Sequence, residues 1–225
     1  MNLSIYIFSL LALSSIEAQA RVVSVDLQFA ICHRKPEDLA RRLGFESEPK
    51  EVTATYFEAP RAQLSKIGVF LKLKEKKGTY TTEVKIVNGP GLPQPEGLAC
   101  EIDRYGDERT EKCSLEQKAD RPTWTRLQKS LVESKTDIVW KDISSIGSFI
   151  EYRWKGAWEL DGSLEANMDM LVIPGGPAIS EFSIKTTLAA EQETYRKILG
   201  WLNRNNAELC PVQEGKIFRI LGTHR

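Results

Sequence analysis

Polar and apolar side chains alternate along much of the chain between residues 22 and 186. A period of two is typical of β-strands with one buried face, and clusters of Gly or Pro separate the segments that show it. The strands predicted in this way are 22–31, 51–57, 69–74, 79–87, 98–105, 146–155, 157–160, 163–173 and 179–186. Helical spacing and capping signals predict four helices. They are 36–43, ending before Gly44; 123–134; 189–203, with Thr187 as a cap; and 216–221.

Many strands with few helices favour an α+β fold built on a closed antiparallel β-barrel. Alternation would then give an apolar outer face packed on the helices and a polar interior. No internal repeat or low-complexity linker divides residues 21–225, so these residues are predicted to form a single domain.

The hairpin predicted between residues 69 and 87 places cations on one strand face. Lys72 and Lys74 share that face, and after a turn at 76–78 Glu83 and Lys85 repeat the arrangement. On the inner face of a barrel these lysines would form a site for a polyanion such as a phosphate chain. An ordinary sheet with one solvated face is also often rich in Lys, and this stretch alone favours that simpler interpretation.

The other predicted strands carry further polar residues on one face. The first strand has Ser24, Asp26 and Gln28, and the strand at 98–105 presents either Glu101 with Asp103 or Ile102 with Arg104. The late strands present Arg153 and Lys155; Glu165, Asn167 and Asp169; and Glu181, Ser183 and Lys185. Cations that hold phosphates opposite carboxylates that hold a divalent metal are the arrangement of metal-assisted phosphoryl transfer.

Residues 1–20 have the pattern of a secretory signal peptide. An apolar run from Ile5 to Leu13 precedes an Ala18-Gln19-Ala20 ending of the kind that signal peptidase cleaves. The mature chain is then expected to start near Arg21, to be secreted, and to have no membrane span. Loss of Glu17 leaves 30 acidic residues of 31 against 31 Lys and Arg, a formal charge of +1. This balance argues against a general nucleic-acid binder.

Four cysteines lie in the mature chain, and an even count in a secreted protein predicts two disulfides. Three pairings are possible. We favour Cys32 with Cys210 and Cys100 with Cys113, although sequence leaves the choice open. A zinc site is disfavoured because the chain has no CxxC motif.

The order of these elements resembles the CYTH family of triphosphate tunnel metalloenzymes, and most of all its thiamine-triphosphatase branch. The matching segments are TYFEAP, GVFLKLKEKKGTYTTEVKI, KGAWEL, ANMD, SEFSI and GKIFRIL. The resemblance covers most of the mature chain. It implies an eight-stranded antiparallel tunnel with flanking helices.

The resemblance also implies a set of site residues. The cations expected to bind phosphate are Lys72, Lys74, Lys85, Lys155, Arg153, Arg104 and Lys216. An opening Glu-x-Glu-x-Lys motif would bind Mg or Mn, but here its places read Ser24, Asp26 and Gln28, and Ser183 stands where a second late carboxylate is expected. The remaining candidate metal ligands are Asp26, Asp169 and Glu181, which would hold Mg or Mn weakly beside Lys185.

The phosphate-binding half of the implied site is therefore kept, whereas the metal-binding half is degenerate. We expect a secreted CYTH-like pseudoenzyme that binds phosphorylated or polyanionic small molecules with weak or no hydrolysis. One alternative is an active metal-dependent triphosphatase acting on thiamine triphosphate, inorganic triphosphate or a nucleotide. Another is a secreted protein that binds an unknown protein partner and keeps the tunnel as a relic.

Overall fold

A computed structural model of the protein describes residues 24–87 and 98–223. The predicted signal peptide, the first two residues of the first predicted strand and the segment 88–97 lie outside the described residues. Nine strands form one closed barrel. They are β1 Ser24–Ile31, β2 Lys50–Glu58, β3 Val69–Lys76, β4 Thr79–Val87, β5 Ala99–Tyr105, β6 Glu108–Ala119, β7 Ser144–Trp158, β8 Asp161–Val172 and β9 Ile179–Thr187.

Five helices accompany the barrel. They are α1 Pro36–Arg42, α2 Gln63–Lys66, α3 Arg126–Glu133, α4 Glu191–Arg204 and α5 Lys216–Thr223, and short 3-10 turns occupy Pro60–Ala62 and Trp140–Asp142. The four predicted helices correspond to α1, α3, α4 and α5, whereas the short α2 was not predicted. Thr187 was predicted to cap α4, but the N-cap residue is Ala190, which makes no side-chain capping hydrogen bond. The Thr187 hydroxyl accepts a hydrogen bond from the Ala190 amide at 3.3 Å, ahead of the helix. Among the described residues, no helix has the length and apolar character needed to cross a membrane.

The strand order is β1-β5-β6-β4-β3-β2-β7-β8-β9, closing back on β1. The expectation of eight antiparallel strands is therefore wrong in two respects. The barrel has nine strands, and β1 pairs with β5 in parallel. A parallel contact joins strands that are distant in sequence, so local patterns do not reveal it.

Two local differences separate the predicted strands from the observed ones. The charge-rich segment Glu108–Ala119 was not predicted as a strand, yet it forms β6 in antiparallel register with both β4 and β5. The predicted strands 146–155 and 157–160 are instead one long strand, β7, with a register shift between Ala157 and Trp158. Merging two strands and adding β6 keeps the number of segments at nine.

Apolar side chains pack outside the barrel in two layers. One layer joins β1, β8 and β9 to α1 and α4 through residues such as Leu27, Phe182 and Trp201. The other joins β3, β4 and β6 to α3, where Leu131 packs near Leu71 and Val84. Burial of this surface stabilises the barrel at about 25 cal/mol per Å² and leaves the inner face to polar groups.

A third apolar cluster fills one end of the barrel interior. Tyr56, Phe149, Leu171 and Ile179 meet Ile220 of α5 there. Helix α5 thus covers the end of the barrel at which β1 finishes and β9 begins.

Two disulfides tie the chain together: Cys32 to Cys210 and Cys100 to Cys113. This is the pairing favoured from sequence. The first bond joins the exit of β1 to the segment that precedes α5, and the second joins directly opposed residues of β5 and β6.

Candidate functional site

All nine strands and the start of α5 line one internal cavity of about 680 Å³. The lining is dominated by charge because the inward-facing half of each strand is polar. Eight cations line it: Lys72, Lys74, Lys85, Lys112, Arg153, Lys155, Lys185 and Lys216. Eight carboxylates accompany them: Asp26, Glu83, Glu101, Asp103, Glu116, Glu165, Asp169 and Glu181. None of the five tryptophans is among the lining residues, consistent with packing roles.

The α5 end of the cavity holds a buried ion-pair network. Lys72 lies 2.5 Å from Glu151, and Lys216 lies 2.5 Å from Asp169 and 3.1 Å from Glu151. The Arg153 guanidinium donates hydrogen bonds to both carboxylate oxygens of Asp169, at 2.5 and 2.7 Å. Glu151 is only 3% exposed. A bidentate guanidinium and two ammonium groups therefore converge on two carboxylates at this end, which we call the inner cluster: Lys72, Glu151, Arg153, Asp169 and Lys216.

The electrostatics of the inner cluster follow from this pairing. Burial alone would raise the pKa of Glu151, but Lys216, Lys72 and Arg153 outweigh it and hold that pKa well below its usual range. The pKa of Asp169 is lowered in the same way against its burial, chiefly by Lys216 and Arg153. Burial favours a lower pKa for Lys216, yet the surrounding carboxylates raise it well above its usual value. All three groups are consequently charged at neutral pH.

Further ion pairs extend toward the opposite end, which is more open to solvent. Lys74 lies 3.0 Å from both Glu83 and Glu116. Lys155 pairs with Glu165 at 2.6 Å, and this pair is substantially exposed. Lys155 and Glu165, which line the mouth of the cavity, are thus more exposed than Lys72, Glu151, Asp169 and Lys216 of the inner cluster, although Arg153 is as exposed as Lys155.

Three carboxylates between these regions form a compact group, the carboxylate triad of Asp26, Glu101 and Asp103. One oxygen of each lies within 4.8 Å of the others, a spacing at which the triad could hold a metal ion. Burial and then the charges of Glu101 and Asp103 raise the pKa of Asp26 to about 7, although Lys185 opposes the shift. One oxygen of Asp26 and one of Asp103 are buried without a hydrogen-bond partner.

The triad fits a divalent cation by spacing and ligand type, since Mg and Mn prefer carboxylate oxygens. Its surroundings fit less well. Lys112 lies 2.9 Å from Asp103, Lys85 lies 3.6 Å from Asp103, and Lys185 is bonded to Glu101. An incoming metal ion would meet three ammonium groups at the same carboxylates.

Most of the predicted phosphate ligands face this cavity: Lys72, Lys74, Lys85, Lys155, Arg153 and Lys216 all line it. Arg104 does not. Its guanidinium lies on the outer face, bonded to Glu191 and Gln192 of α4 and stacked 3.9 Å above the Tyr195 ring. The sequence did not decide which face of β5 points inward. In the structure, the inward face carries Glu101 and Asp103.

The three predicted metal ligands are not brought together as one group. Asp26 joins Glu101 and Asp103 because β1 runs parallel to β5, with Asp26 opposite Asp103. Asp169 stands opposite Glu181 on the neighbouring strand, and both contact Lys216. Asp169 is further occupied by Arg153, so its oxygens are already paired.

Among the charged residues of the site, Lys112, Glu116 and Glu151 escaped the sequence analysis. Lys112 lies on the unrecognised strand β6, where inward Lys112, Ser114 and Glu116 alternate with outward Cys113 and Leu115. That alternation was the available signal. Glu151 lies on a strand that was predicted, two residues before Arg153 and on the same face. Its role as the carboxylate partner of Lys72 and Lys216 becomes visible only in the structure.

Gln28 occupies the place where the resemblance expects a lysine. Its side-chain amide donates a hydrogen bond to Asp26 at 3.0 Å. Ser183 lies opposite Gln28 and Asn167 opposite Ser183 in the β1-β9-β8 register. A neutral belt of three residues therefore separates the triad from Asp169 and Glu181.

Comparisons with known proteins connect this architecture to solved structures. No protein-family model matches the chain, and no curated protein sequence matches it at a significant level. A candidate adenylyl cyclase from Hippeastrum with a dominant triphosphatase activity has a TM-score of 0.62 at 11% identity, covering 88% of this chain and 95% of that chain. A candidate adenylate cyclase from Bacillus halodurans has a TM-score of 0.61 at 16% identity, covering 88% and 96%. At these identities the likeness establishes a shared fold.

Proposed function

We propose that this chain is a secreted CYTH-like tunnel protein that binds a phosphorylated or similarly polyanionic small molecule in its cavity, with weak or no hydrolysis. The observation that carries the proposal is the convergence of six predicted cations from four elements, β3, β4, β7 and α5, on one cavity closed by α5. The Hippeastrum protein shares the fold and has a triphosphatase activity, which supports a phosphate chain as the ligand.

The inner cluster is the best place for a terminal phosphate. Arg153 presents a planar fork suited to two phosphate oxygens, and Lys72 and Lys216 add ammonium donors around the same point. Their present partners are carboxylates, so an entering phosphate exchanges one set of anionic acceptors for another. Affinity then depends on how much stronger the cation–phosphate pairs of the complex are than the cation–carboxylate pairs of the free protein. Because only compact, multiply charged anions can form pairs of that strength, we expect the site to select them.

Weak hydrolysis is supported by how the described groups near that point are already engaged. Gln28 cannot ionise, and its amide is already hydrogen-bonded to Asp26. Asp169 is held by Arg153 and Lys216, and Glu181 accepts a hydrogen bond from the Tyr105 hydroxyl and lies 3.6 Å from Lys216. These pairings make both carboxylates poor bases for the activation of water.

Secretion is supported by the two disulfides, which persist in oxidising compartments. Expression of the whole chain in a secreting host tests this part of the proposal. We expect the protein in the medium, with an amino terminus near Arg21 and no free thiol. Retention of residues 1–20 on a cell-associated protein would contradict it.

The binding proposal is tested by calorimetry with inorganic triphosphate, thiamine triphosphate and ATP, alongside phosphate release with Mg or Mn. We expect binding, with release near background. Lys72→Met should weaken triphosphate binding by about tenfold or more, because it removes a buried cation from the inner cluster. The matched control is Lys197→Met, which removes an exposed lysine of α4 that pairs only with its helix neighbour Glu193. Equal affinities in the two variants would refute binding at the inner cluster.

An active triphosphatase is the second candidate, and the carboxylate triad is the observation that favours it. Metal-dependent turnover that is lost in Asp103→Asn, which removes one carboxylate of the triad, would establish this candidate. A preference for thiamine triphosphate would place the chain with the thiamine-triphosphatase branch. If none of the three compounds is bound or hydrolysed, the remaining candidate function is the binding of a protein partner at the outer surface.

A further inference from the structure

The carboxylate triad is already neutralised by lysines from the strands around it. Lys112 lies 2.9 Å from Asp103, and Lys85 lies 3.6 Å from the same oxygen and 3.9 Å from Glu101. Lys185 donates to the other oxygen of Glu101. Three ammonium groups thus pair with Glu101 and Asp103, whereas the hydrogen-bond donor to Asp26 is the Gln28 amide.

Strand register, and not chance side-chain placement, produces this arrangement. Asp26 lies opposite Asp103 on one side and opposite Lys185 on the other. Lys112 lies opposite Glu101 in the β5-β6 pair. Lys112 and Lys185 therefore lie on strands directly adjacent to a strand that carries a triad carboxylate, and the backbone pairing keeps them there. Lys85 lies one strand further away, on β4, opposite Ser114 of β6.

The lysines cannot all withdraw to make room for a metal ion. The side chain of Lys112 is 11% exposed and that of Lys85 is 26% exposed, so retreat into water is limited. A divalent ion among the triad oxygens would lie a few ångströms from these charges, and in a partly buried site that repulsion is weakly screened. Mg also needs nearly octahedral geometry. Both oxygens of Glu101 and one oxygen of Asp103 are already paired with lysine, which leaves few oxygens of the triad for such a shell.

We propose that Lys85, Lys112 and Lys185 act as resident cations in the carboxylate triad, so that the cavity binds its polyanion without a divalent metal. This inference rests on the proposed function, since it concerns how the same cavity takes its ligand. It differs from what the family resemblance implies, because there a metal ion supplies the positive charge at the carboxylates. Here the chain itself supplies that charge.

Titration of the protein with inorganic triphosphate, once in a metal chelator and once in excess Mg or Mn, tests the proposal. We expect the dissociation constants in the two buffers to agree within about threefold. Direct titration with Mn²⁺ alone, followed by electron paramagnetic resonance, should show no binding to the triad.

Lys185→Met is the decisive variant, because Lys185 is 58% exposed and its loss should leave the fold intact. Loss of this cation should weaken triphosphate binding in chelator by about tenfold and should create Mn²⁺ binding with recovery of the affinity. Lys185→Arg keeps the charge and should behave as the wild type. Lys112→Met is a second, more buried variant with the same expected gain of Mn²⁺ binding, and Lys197→Met is the surface control.

Two results overturn the inference while leaving the proposed function intact. One is triphosphate binding by the wild type only when Mg or Mn is present. The other is tight Mn²⁺ binding by the wild type without an anion. Failure of the wild type to bind triphosphate in either buffer refutes the proposed function itself, so the two failures are distinguishable.

Discussion

Asp26 illustrates how position in the barrel decides what a single side chain does. From sequence it was a candidate metal ligand beside Asp169 and Glu181. In the structure it packs against Glu101 and Asp103, and the parallel pairing of β1 with β5 is responsible. Burial and these two neighbours raise its pKa from 3.8 to about 7, so close to neutral pH its charge becomes costly to the fold.

The pH dependence of stability should therefore change in Asp26→Asn. The folded chain holds a proton on Asp26 that the unfolded chain releases between about pH 4 and pH 7. The contribution of Asp26 to the free energy of unfolding is therefore fully present below about pH 4 and is lost as the pH rises through about 7. Asn mimics the protonated form, so the variant should gain on the order of 2 kcal/mol in free energy of unfolding at pH 8. Near pH 4 it should gain little.

Urea denaturation at the two pH values, in the presence of a chelator, measures this difference. Asp137→Asn is the control, since Asp137 is an exposed aspartate. Equal changes at both pH values for Asp26→Asn would show that Asp26 ionises in the folded chain as easily as in the unfolded one.

Arg104 shows the limit of alternation as evidence. The strand pattern left Asp103 and Arg104 equally able to face inward, because a shift of one residue exchanges the two faces of a strand. The structure places Arg104 between β5 and α4, bonded to the buried Glu191. By contrast, Lys72, Lys74 and Lys85 face the cavity as predicted, since the leucine and valine residues between them fix the outer face.

Arg104→Met should destabilise the protein and leave anion binding unchanged. Loss of the guanidinium leaves Glu191 with Arg109 as its remaining ion-pair partner, and a half-broken buried pair costs about 3 kcal/mol. Chemical denaturation gives the stability change, and calorimetry with triphosphate well below the melting temperature gives the affinity. A tenfold loss of affinity in a folded variant would place Arg104 at the cavity after all.

At the scale of elements, the strands with apolar outer faces were predictable and the charged strand β6 was not. Its outer face offers mainly Cys113 and Leu115 to the core, too few apolar residues for a local signal. The pairing of β1 with β5 was also beyond prediction because it depends on closure of the whole barrel. The inner cluster combines β3, β7, β8 and α5. Its cations and Asp169 could be listed from sequence, whereas Glu151 and the ion pairs among these residues could not, because they depend on how distant elements meet.

The two disulfides should contribute unequally to stability. Cys32 and Cys210 are separated by 178 residues, and Cys100 and Cys113 by 13. Loop-closure entropy predicts contributions of about 5 and about 3 kcal/mol. The smaller one is an upper value, because the β5-β6 hairpin already pairs these strands.

The Cys32–Cys210 bond should also affect ligand binding, because it anchors the segment leading to α5. Next to it Leu209 bridges to Ile31, and the Gln213 side chain bonds both backbone groups of Ala30. Replacement of both cysteines by serine should therefore lower triphosphate affinity through Lys216, whereas the Cys100 and Cys113 double variant should not. Urea denaturation and calorimetry of the two double variants measure both effects, and equal losses in both assays would contradict this role.

At the scale of the whole molecule, the two ends of the cavity differ, because α5 closes one end of the barrel. Ile217 and Ile220 of α5 pack with the apolar cluster at that end, and the inner cluster lies just inside it. Ion pairs become more exposed toward Lys155 and Glu165. A ligand should enter at that mouth with its phosphate first and leave any organic group near the mouth.

A ligand with organic groups at both ends of its phosphate chain should consequently bind poorly. ATP has a free terminal phosphate that can reach Lys72, Arg153 and Lys216, whereas diadenosine triphosphate has none. We expect the latter to bind at least about tenfold more weakly, since it cannot form the charge-assisted contacts of a terminal phosphate. Calorimetry in chelator compares the two, with AMP as the control for the contribution of adenosine. Equal affinity for ATP and diadenosine triphosphate would mean that the phosphate chain extends along a barrel that is open at both ends. In that case, deletion of residues 216–225 should leave the affinity for ATP unchanged.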